Sequence, residues 1–181
     1  MTSIAQDHLD FHGSVTAYRR AKAILFERVA DTGGVAVLNA DDPVARDMAA
    51  FAGGRHGLSY SAVGGLADFR ATHAAFGPAG TRFTLLAPDG TAALTLPLLG
   101  ECNLANALCA AAVAHAAGVP LARIVEVLEG ASPTPGLLAP IAEGQPFHVF
   151  IDEAKSATAL VRTLDLARQL LPHGRVIALV S

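Results

Sequence analysis

The hydrophobic pattern of the chain changes near Asp68, and this change constrains the fold more than any other feature. Before it, a helical stretch at residues 14–30 is followed by a short apolar strand at 35–39 and by a second helix that starts at Pro43. After it, Gly/Pro turns separate three short segments that predict an antiparallel meander, at residues 70–76, 81–86 and 92–96. The pattern therefore predicts an α/β body with a small antiparallel sheet attached.

The second half of the chain predicts two further helices and the beginning of another sheet. Residues 103–117 are alanine-rich and helical, and a shorter helix follows at 120–129. Residues 147–152, 156–171 and 175–180 read as strand, helix and strand, the opening βαβ unit of a Rossmann-like domain. The predicted fold class is α/β with a mostly parallel sheet and flanking helices, and the predicted division is 1–131, a Pro/Gly-rich linker at 132–146, and 147–181.

Composition excludes several classes of protein. Thirteen Lys and Arg against sixteen Asp and Glu give a formal charge of −3, which leaves no broad basic surface for nucleic acid or anionic lipid. No apolar stretch is long enough to span a bilayer, and the first twelve residues lack a signal-peptide core. Cys102 and Cys109 are seven residues apart on a predicted helix, about 10 Å and too far for a disulfide. We therefore expect a cytoplasmic protein with small-molecule partners.

Two neighbouring features could hold a metal ion. Residues 7–12 (DHLDFH) place two carboxylates and two imidazoles just before a helix, either as metal ligands or as a solvated loop. In that helix Lys22 lies within an apolar stripe formed by Val15, Tyr18, Leu25, Phe26 and Val29. An ammonium facing a core must be paired, neutralised or chemically changed, unless it reaches solvent along its stem.

These residues resemble a known family. Residues 7–13 together with Tyr18, Ala21-Lys22 and Leu25-Phe26 resemble the central-domain signature of the Mur ligases, most closely the MurE type, the UDP-N-acetylmuramoyl-tripeptide synthetases. The resemblance implies that His8 is a magnesium ligand and that Lys22 is carbamylated and binds the same Mg²⁺. The chemistry agrees, because a partly buried amine is more often neutral and nucleophilic, and a carbamate is an anionic oxygen ligand.

Two further segments extend the resemblance to a nucleotide site. Residues 37–43 (VLNADDP) follow a predicted parallel strand at the end where open α/β sheets bind ligands, so Asn39 and Asp41 are candidate nucleotide-binding residues or parts of a helix cap. Residues 100–107 (GECNLANA) resemble the family's G-x-x-N-x-x-N element, which implies that Asn103 and Asn106 lie against the adenine of ATP. From the sequence alone, Asn103 would be an ordinary N-cap.

The later motifs match less well. Leu137 and Ala139 stand where the family has the arginine and glutamate of a Pro-Gly-Arg-x-Glu element. Residues 152–157 (DEAKSA) stand where the MurE type has Asp-Tyr-Ala-His-Thr-Pro. The resemblance implies that Asp152 holds the ribose hydroxyls of ATP. It also makes Lys155, which replaces the family histidine, a candidate nucleotide-binding residue.

The resemblance implies an ATP- and Mg²⁺-dependent amide-bond ligase that adds an amino acid to UDP-MurNAc-L-Ala-D-Glu in peptidoglycan synthesis. The 181 residues contain no G-x-x-x-x-G-K-[ST] phosphate loop, so we expect a fragment that is inactive alone. One alternative is a non-catalytic binding or assembly module. Another is a relative of folylpolyglutamate or cyanophycin synthetases. Sheet edges exposed by truncation also predict self-association.

Overall fold

The computed structural model describes residues 9–51, 57–154 and 156–180. Within these ranges the helices are α1 (Leu9–His12), α2 (Val15–Asp31), α3 (Pro43–Phe51), α4 (Gly100–Ala116), α5 (Leu121–Glu129) and α6 (Ala157–Leu170). The strands are β1 (Ala36–Asn39), β2 (Gly57–Ser61), β3 (Phe69–Gly77), β4 (Gly80–Ala87), β5 (Gly90–Leu96), β6 (Ala139–Ile141) and β7 (Val149–Ile151).

The first five strands form one mixed sheet in the order β1-β2-β3-β4-β5. β1, β2 and β3 run parallel, and β3, β4 and β5 form the predicted antiparallel meander. The predicted α/β fold class, with parallel strands, flanking helices and an antiparallel meander, is therefore confirmed, and the meander continues the parallel strands within one mixed sheet. The join depends on Asp68, whose carboxylate accepts hydrogen bonds from the backbone N–H of Ser59 at 2.8 Å and from its hydroxyl at 2.7 Å.

One face of this sheet packs against α4 and α5 and carries the main hydrophobic core. We call this cluster the sheet core; its larger members are Val37, Tyr60, Phe69, Phe83, Leu85, Leu94, Leu96, Leu104, Leu108, Ile124 and Leu128. On the opposite face, α2 and α3 cover β1 through Ala23, Phe26, Ala36 and Met48. Adjacent residues of β1 thus serve different clusters, because strand side chains alternate between the two faces.

The turn between β3 and β4 requires glycine at position 80. Gly80 has φ +130°, and a Cβ there would lie 2.3 Å from the carbonyl oxygen of Leu96 at the end of β5. A side chain is excluded both by the backbone conformation and by the neighbouring strand. The tight turn therefore also sets how closely β4 and β5 approach.

The last part of the described chain packs through a second, smaller cluster. β6 and β7 form an antiparallel pair, and α6 packs beside them. We call the cluster of Leu99, Leu138, Leu166, Phe150 and Leu170 the joint, since it connects α4 to this later part. β6 lies inside the predicted linker at 132–146, and the division into domains stays a prediction.

The prediction of a strand at residues 175–180 is wrong. This segment has no strand conformation, and β7 pairs antiparallel with β6 rather than within a βαβ unit. An apolar run forms a strand only where another strand meets its backbone, and none does so here among the described residues. Ile177 and Leu179 are accordingly exposed.

Two of the predicted helices begin at a serine cap. Ser14 caps α2 by accepting a hydrogen bond from the Ala17 N–H at 3.1 Å, and Ser156 caps α6 in the same way at Ala159. Cys102 and Cys109 are free thiols. Among the described helices, none combines the length and the apolar character needed to cross a membrane.

Candidate functional site

The predicted site residues that the structure describes lie in four places. Asn39 and Asp41 lie at the carboxyl end of β1, Asn103 and Asn106 lie on α4, and Asp152 follows β7. Lys22 lies on α2, on the far side of the sheet from α4. His8 and Lys155 lie outside the described residues.

Asp41 links the ends of β1 and β2. Its Oδ1 accepts a hydrogen bond from the Ser61 hydroxyl at 2.6 Å, and its Oδ2 accepts one from the Ala62 N–H at 2.7 Å. Asn39 supports this carboxylate by accepting from the backbone N–H of Asp41 at 2.9 Å. Asp42 provides the helix cap, accepting from Val44 N–H at 2.8 Å. Asp42 therefore caps α3, whereas Asp41 joins the two strands.

A cleft that the sequence motifs did not indicate opens beside this link. Ser61 also accepts from the Gly65 N–H at 2.8 Å, which holds the loop after β2. The cleft has a volume of about 390 Å³ and is lined by Ala62, Val63, Gly64, Ala71, Thr72, His73, Ala74, Phe76 and Glu101. The Gly64-Gly65 pair after a strand was the available signal, because glycines allow close approach to a backbone.

Tyr60 occupies the protected interior below this end of the sheet. It is fully buried, and its phenol lies in hydrogen-bond contact with the thiol of Cys109. Burial, followed by Cys109 and then the carboxylates of Asp41 and Asp42, raises the pKa of Tyr60 far above its usual value. The phenol is therefore neutral at physiological pH.

Asn103 is not an N-cap. α4 begins three residues earlier, with Leu99 at the N-cap position, and the Asn103 amide donates to the Leu99 carbonyl at 2.8 Å. Gly100 permits the early start, because its φ of +84° turns the chain into the helix. Asn103 is only 4% exposed and ties down the first turn of α4.

Asn106 and Asp152 lie on either side of the joint. Positions 99, 103 and 106 share one face of α4 by their spacing, so the exposed Asn106 lies about 10 Å along the helix from Leu99. Asp152 is half-buried two residues beyond Phe150, which packs in the joint. Its carboxylate accepts a hydrogen bond from the Thr163 hydroxyl on α6.

Gly100 allows the two sides of the joint to meet. A Cβ at this position would lie 2.7 Å from Cδ2 of Leu166 and 3.2 Å from Cδ1 of Leu138. The first glycine of the G-x-x-N-x-x-N element is therefore required by its backbone conformation and by contact with α6. This contact sets the distance between the start of α4 and the chain that carries Asp152.

Lys22 is exposed, so the prediction of a partly buried amine is wrong. α2 packs through Ala23 and Phe26, and Lys22 precedes Ala23 by about 100° around the helix. Its Nζ lies 5.4 Å from the centroid of the Tyr18 ring, a cation–π distance. The Tyr18 ring in turn contacts His12, with centroids 5.1 Å apart.

The described residues do not fit a magnesium site. Within residues 9–51, 57–154 and 156–180, no three His, Cys, Asp or Glu side chains converge closely enough to hold a metal ion. The Lys22 amine, lying over an aromatic face, is not an oxygen ligand in this form. The roles of His8 and Lys22 toward Mg²⁺ stay predictions.

The sequence resembles ligases of cell-wall precursors. It is 37% identical to the UDP-N-acetylmuramoyl-L-alanyl-D-glutamate–2,6-diaminopimelate ligase of Bacillus licheniformis, over 99% of this chain and 37% of that protein. It is 41% identical to the UDP-N-acetylmuramyl-tripeptide synthetase of Roseiflexus sp., over 98% of this chain and 36% of that protein. The chain thus spans little more than a third of these relatives.

A solved structure and a family model identify the same family as these relatives do. A crystal structure of MurF from Acinetobacter baumannii superimposes with a TM-score of 0.78 at 28% identity, covering 96% of this chain and 37% of that one. Residues 1–114 match the Mur ligase middle domain. The chain therefore belongs to the Mur ligase family.

Proposed function

We propose that these 181 residues are the nucleotide-binding middle and the following segment of an amide-bond ligase in peptidoglycan synthesis. The reaction would add an amino acid to UDP-MurNAc-L-Ala-D-Glu, with ATP phosphorylating the terminal carboxylate and the amine displacing phosphate. The observation that carries the proposal is the identity of 37% and 41% to enzymes named for this type of product, over nearly the whole chain. Such a reaction belongs in the cytoplasm, where ATP is available.

We assign the nucleoside of ATP to Asn106 on α4 and Asp152 after β7, the two parts of the chain that the joint connects. An exposed amide both donates and accepts, as a purine edge requires, and a carboxylate accepts from the two hydroxyls of a ribose. Both side chains are at least partly accessible, whereas the Asn103 amide is buried and bonded to the Leu99 carbonyl. The site therefore uses one asparagine for recognition and the other to fix the helix. Roles of Asn39, Asp41 and Lys155 toward the nucleotide stay predictions.

A chimera tests the ligase proposal. The matched segment of the Bacillus licheniformis ligase is replaced by this chain, and phosphate release is measured with ATP, Mg²⁺, the nucleotide-dipeptide and the amino acid. We expect release that depends on the amino acid, and we expect its loss in the same chimera carrying Asp152→Ala. The 181 residues alone should release almost none, because they contain no phosphate loop. A folded chimera without turnover would contradict the proposal.

A second candidate function is a non-catalytic binding or assembly module. It is favoured by Leu137 and Ala139, which replace charged family residues, and by Leu138, which is buried in the joint. In this case the segment contributes packing and strand pairing in place of charge. An inactive but folded chimera, or coding sequence upstream of Met1 without an in-frame phosphate loop, would support the module.

Carbamylation of Lys22 is tested directly, because the chain has only two lysines, Lys22 and Lys155. We expect ¹³C-labelled bicarbonate to give a carbamate resonance in the unmodified chain that disappears in Lys22→Arg. Lys155→Arg is the matched control and should retain it. A resonance that persists in Lys22→Arg would place the carbamate on another amine, either Lys155 or the α-amine of the chain, and contradict the proposal.

Self-association is proposed for the later part of the chain. Exposed apolar side chains cluster in sequence here: Ile151, Val161, Ile177, Leu179 and Val180. Burial of such side chains between copies would be favourable. Light scattering across a range of concentrations tests this, and a monomer at the highest concentration would contradict it.

A further inference from the structure

Thr163 connects the candidate ribose-binding carboxylate to α6. Its hydroxyl donates to Oδ2 of Asp152 and also lies 3.1 Å from the carbonyl oxygen of Ala159. A hydroxyl has one proton to donate, so the two acceptors compete for it. The Ala159 carbonyl already accepts an N–H within the helix, whereas Oδ2 carries negative charge, so the carboxylate is the stronger acceptor.

The Thr163 hydroxyl is held rigidly. Threonine is branched at Cβ, and in a helix it has few rotamers available. Three residues later on the same helix, Leu166 is 8% exposed and packs against Leu99 in the joint. Asp152, by contrast, lies in the loop beyond β7 and has no regular structure of its own. The helix therefore supplies a fixed point for a carboxylate on a less constrained segment.

We propose that Thr163 is a positioning residue that fixes the Asp152 carboxylate for the two hydroxyls of a ribose. One hydrogen bond to Oδ2 sets the orientation of the carboxylate and leaves it with acceptor capacity for both hydroxyls. The inference rests on the proposed nucleoside site between Asn106 and Asp152, and it assigns a role to a residue outside the sequence motifs.

The test compares two ligands that differ only in the ribose hydroxyls. Binding of adenosine and of 2′,3′-dideoxyadenosine to the full chain is measured by NMR titration, and the ratio of the two dissociation constants is the readout. We expect the unmodified chain to prefer adenosine by about tenfold, since two hydrogen bonds to a charged acceptor are gained. Thr163→Val should reduce this preference by about fivefold, and Thr163→Ser should retain it.

Two controls separate positioning from structure. Asp152→Ala should reduce the preference to about one, because the charged acceptor is gone. Thr16→Val makes the same chemical change at an exposed helical position and should leave the preference unchanged. If Thr163 had only a structural role, its substitution would weaken the binding of both ligands equally and leave the ratio of their dissociation constants unchanged.

The outcomes distinguish the two proposals. A preference that survives in Thr163→Val but is lost in Asp152→Ala overturns the role of Thr163 and leaves the nucleoside site standing. Absence of any preference in the unmodified chain, or a preference that survives Asp152→Ala, overturns the nucleoside site and the role of Thr163 with it.

Discussion

The sheet core and the joint differ in how many parts of the chain they bring together. The sheet core combines side chains from five strands and two helices, and Tyr60, Phe69, Leu85, Leu96, Leu104 and Leu108 are all fully buried. The joint consists of five side chains, its three most buried members are between 5% and 9% exposed, and a void of about 20 Å³ lies among them. The buried side chains of the sheet core all lie within residues 37–128, whereas the later part of the chain packs against Leu99 of α4.

The largest expected effect is at the turn that shapes the sheet. Gly80→Ala places a Cβ 2.3 Å from the Leu96 carbonyl oxygen, and the backbone conformation here is available almost only to glycine. We therefore expect the free energy of unfolding to fall by about 4 kcal/mol. Gly90→Ala is the matched control: its φ is +148°, but the nearest atom is a Leu121 methyl at 3.6 Å, so about 1–2 kcal/mol is expected. Urea unfolding measures both. Equal losses of stability in the two variants would show that the close approach of the Leu96 carbonyl oxygen contributes nothing.

Leucine truncation compares the two clusters directly. Leu108→Ala in the sheet core should cost about 3–4 kcal/mol and lower the stability of the whole chain. Leu166→Ala in the joint should cost about 2 kcal/mol, since a void is already present, and should affect hydrogen exchange mainly in residues 132–180. If Leu166→Ala raised exchange equally throughout the sheet, the two clusters would form one cooperative unit.

Gly100→Ala tests the contact between α4 and α6. The added methyl group meets Leu166 at 2.7 Å, and together with the positive φ we expect a cost of about 2–3 kcal/mol. Gly118→Ala has a similar φ of +82° and no neighbour within 4 Å, so only about 1–2 kcal/mol is expected. Adding Leu166→Ala to Gly100→Ala should recover part of the difference. If stability does not recover in the double variant, steric contact with Leu166 is not the cause of the larger loss in Gly100→Ala.

Asp41→Asn removes the charge that joins β1 to β2. Two donors, the Ser61 hydroxyl and the Ala62 N–H, then face a neutral group, and we expect a loss of about 1–2 kcal/mol. Asp42→Asn is the matched control with almost no loss, because asparagine caps a helix about as well as aspartate. Thermal unfolding compares the pair, and a greater loss for Asp42→Asn would contradict this assignment.

The smallest effect at neutral pH concerns Tyr60. Its pKa is raised in the folded chain, so the unfolded chain loses the phenol proton first, and stability falls as pH rises above about 10. In Tyr18→Phe, which leaves Tyr60 as the only tyrosine, we expect no rise in absorbance at 295 nm until the chain unfolds. Reversible ionisation of the folded variant near pH 10 would contradict the assignment.

The sequence predicted elements well where local signals decide them. The Gly/Pro turns of the meander and the short strand that ends at Asn39 are local features, and the structure confirms them. The continuity of the sheet could not be predicted in this way, because it depends on Asp68 meeting Ser59 nine residues earlier. The strand expected at 175–180 fails for the same reason, since pairing is not local.

For the site, the sequence predicted suitable residue types but not which of their side chains are buried. The motifs identified Asn106 and Asp152 as chemically suitable groups, but not that Asn103 is buried and bonded to Leu99. Helical periodicity placed Lys22 on the apolar stripe, although Leu25 on the same stripe is 63% exposed. Periodicity specifies the direction of a side chain and not whether another element covers it.

The junction between the parallel and antiparallel halves has a mechanical consequence. β2 and β3 share only two paired positions, Tyr60 with Phe69 and Ser61 with Arg70, whereas β4 and β5 share seven. A pulling force applied across the sheet would meet its least resistance at this seam. The hydrogen bonds from Ser59 to Asp68 would resist separation of β2 from β3, so the order in which the strands separate under load would depend on them.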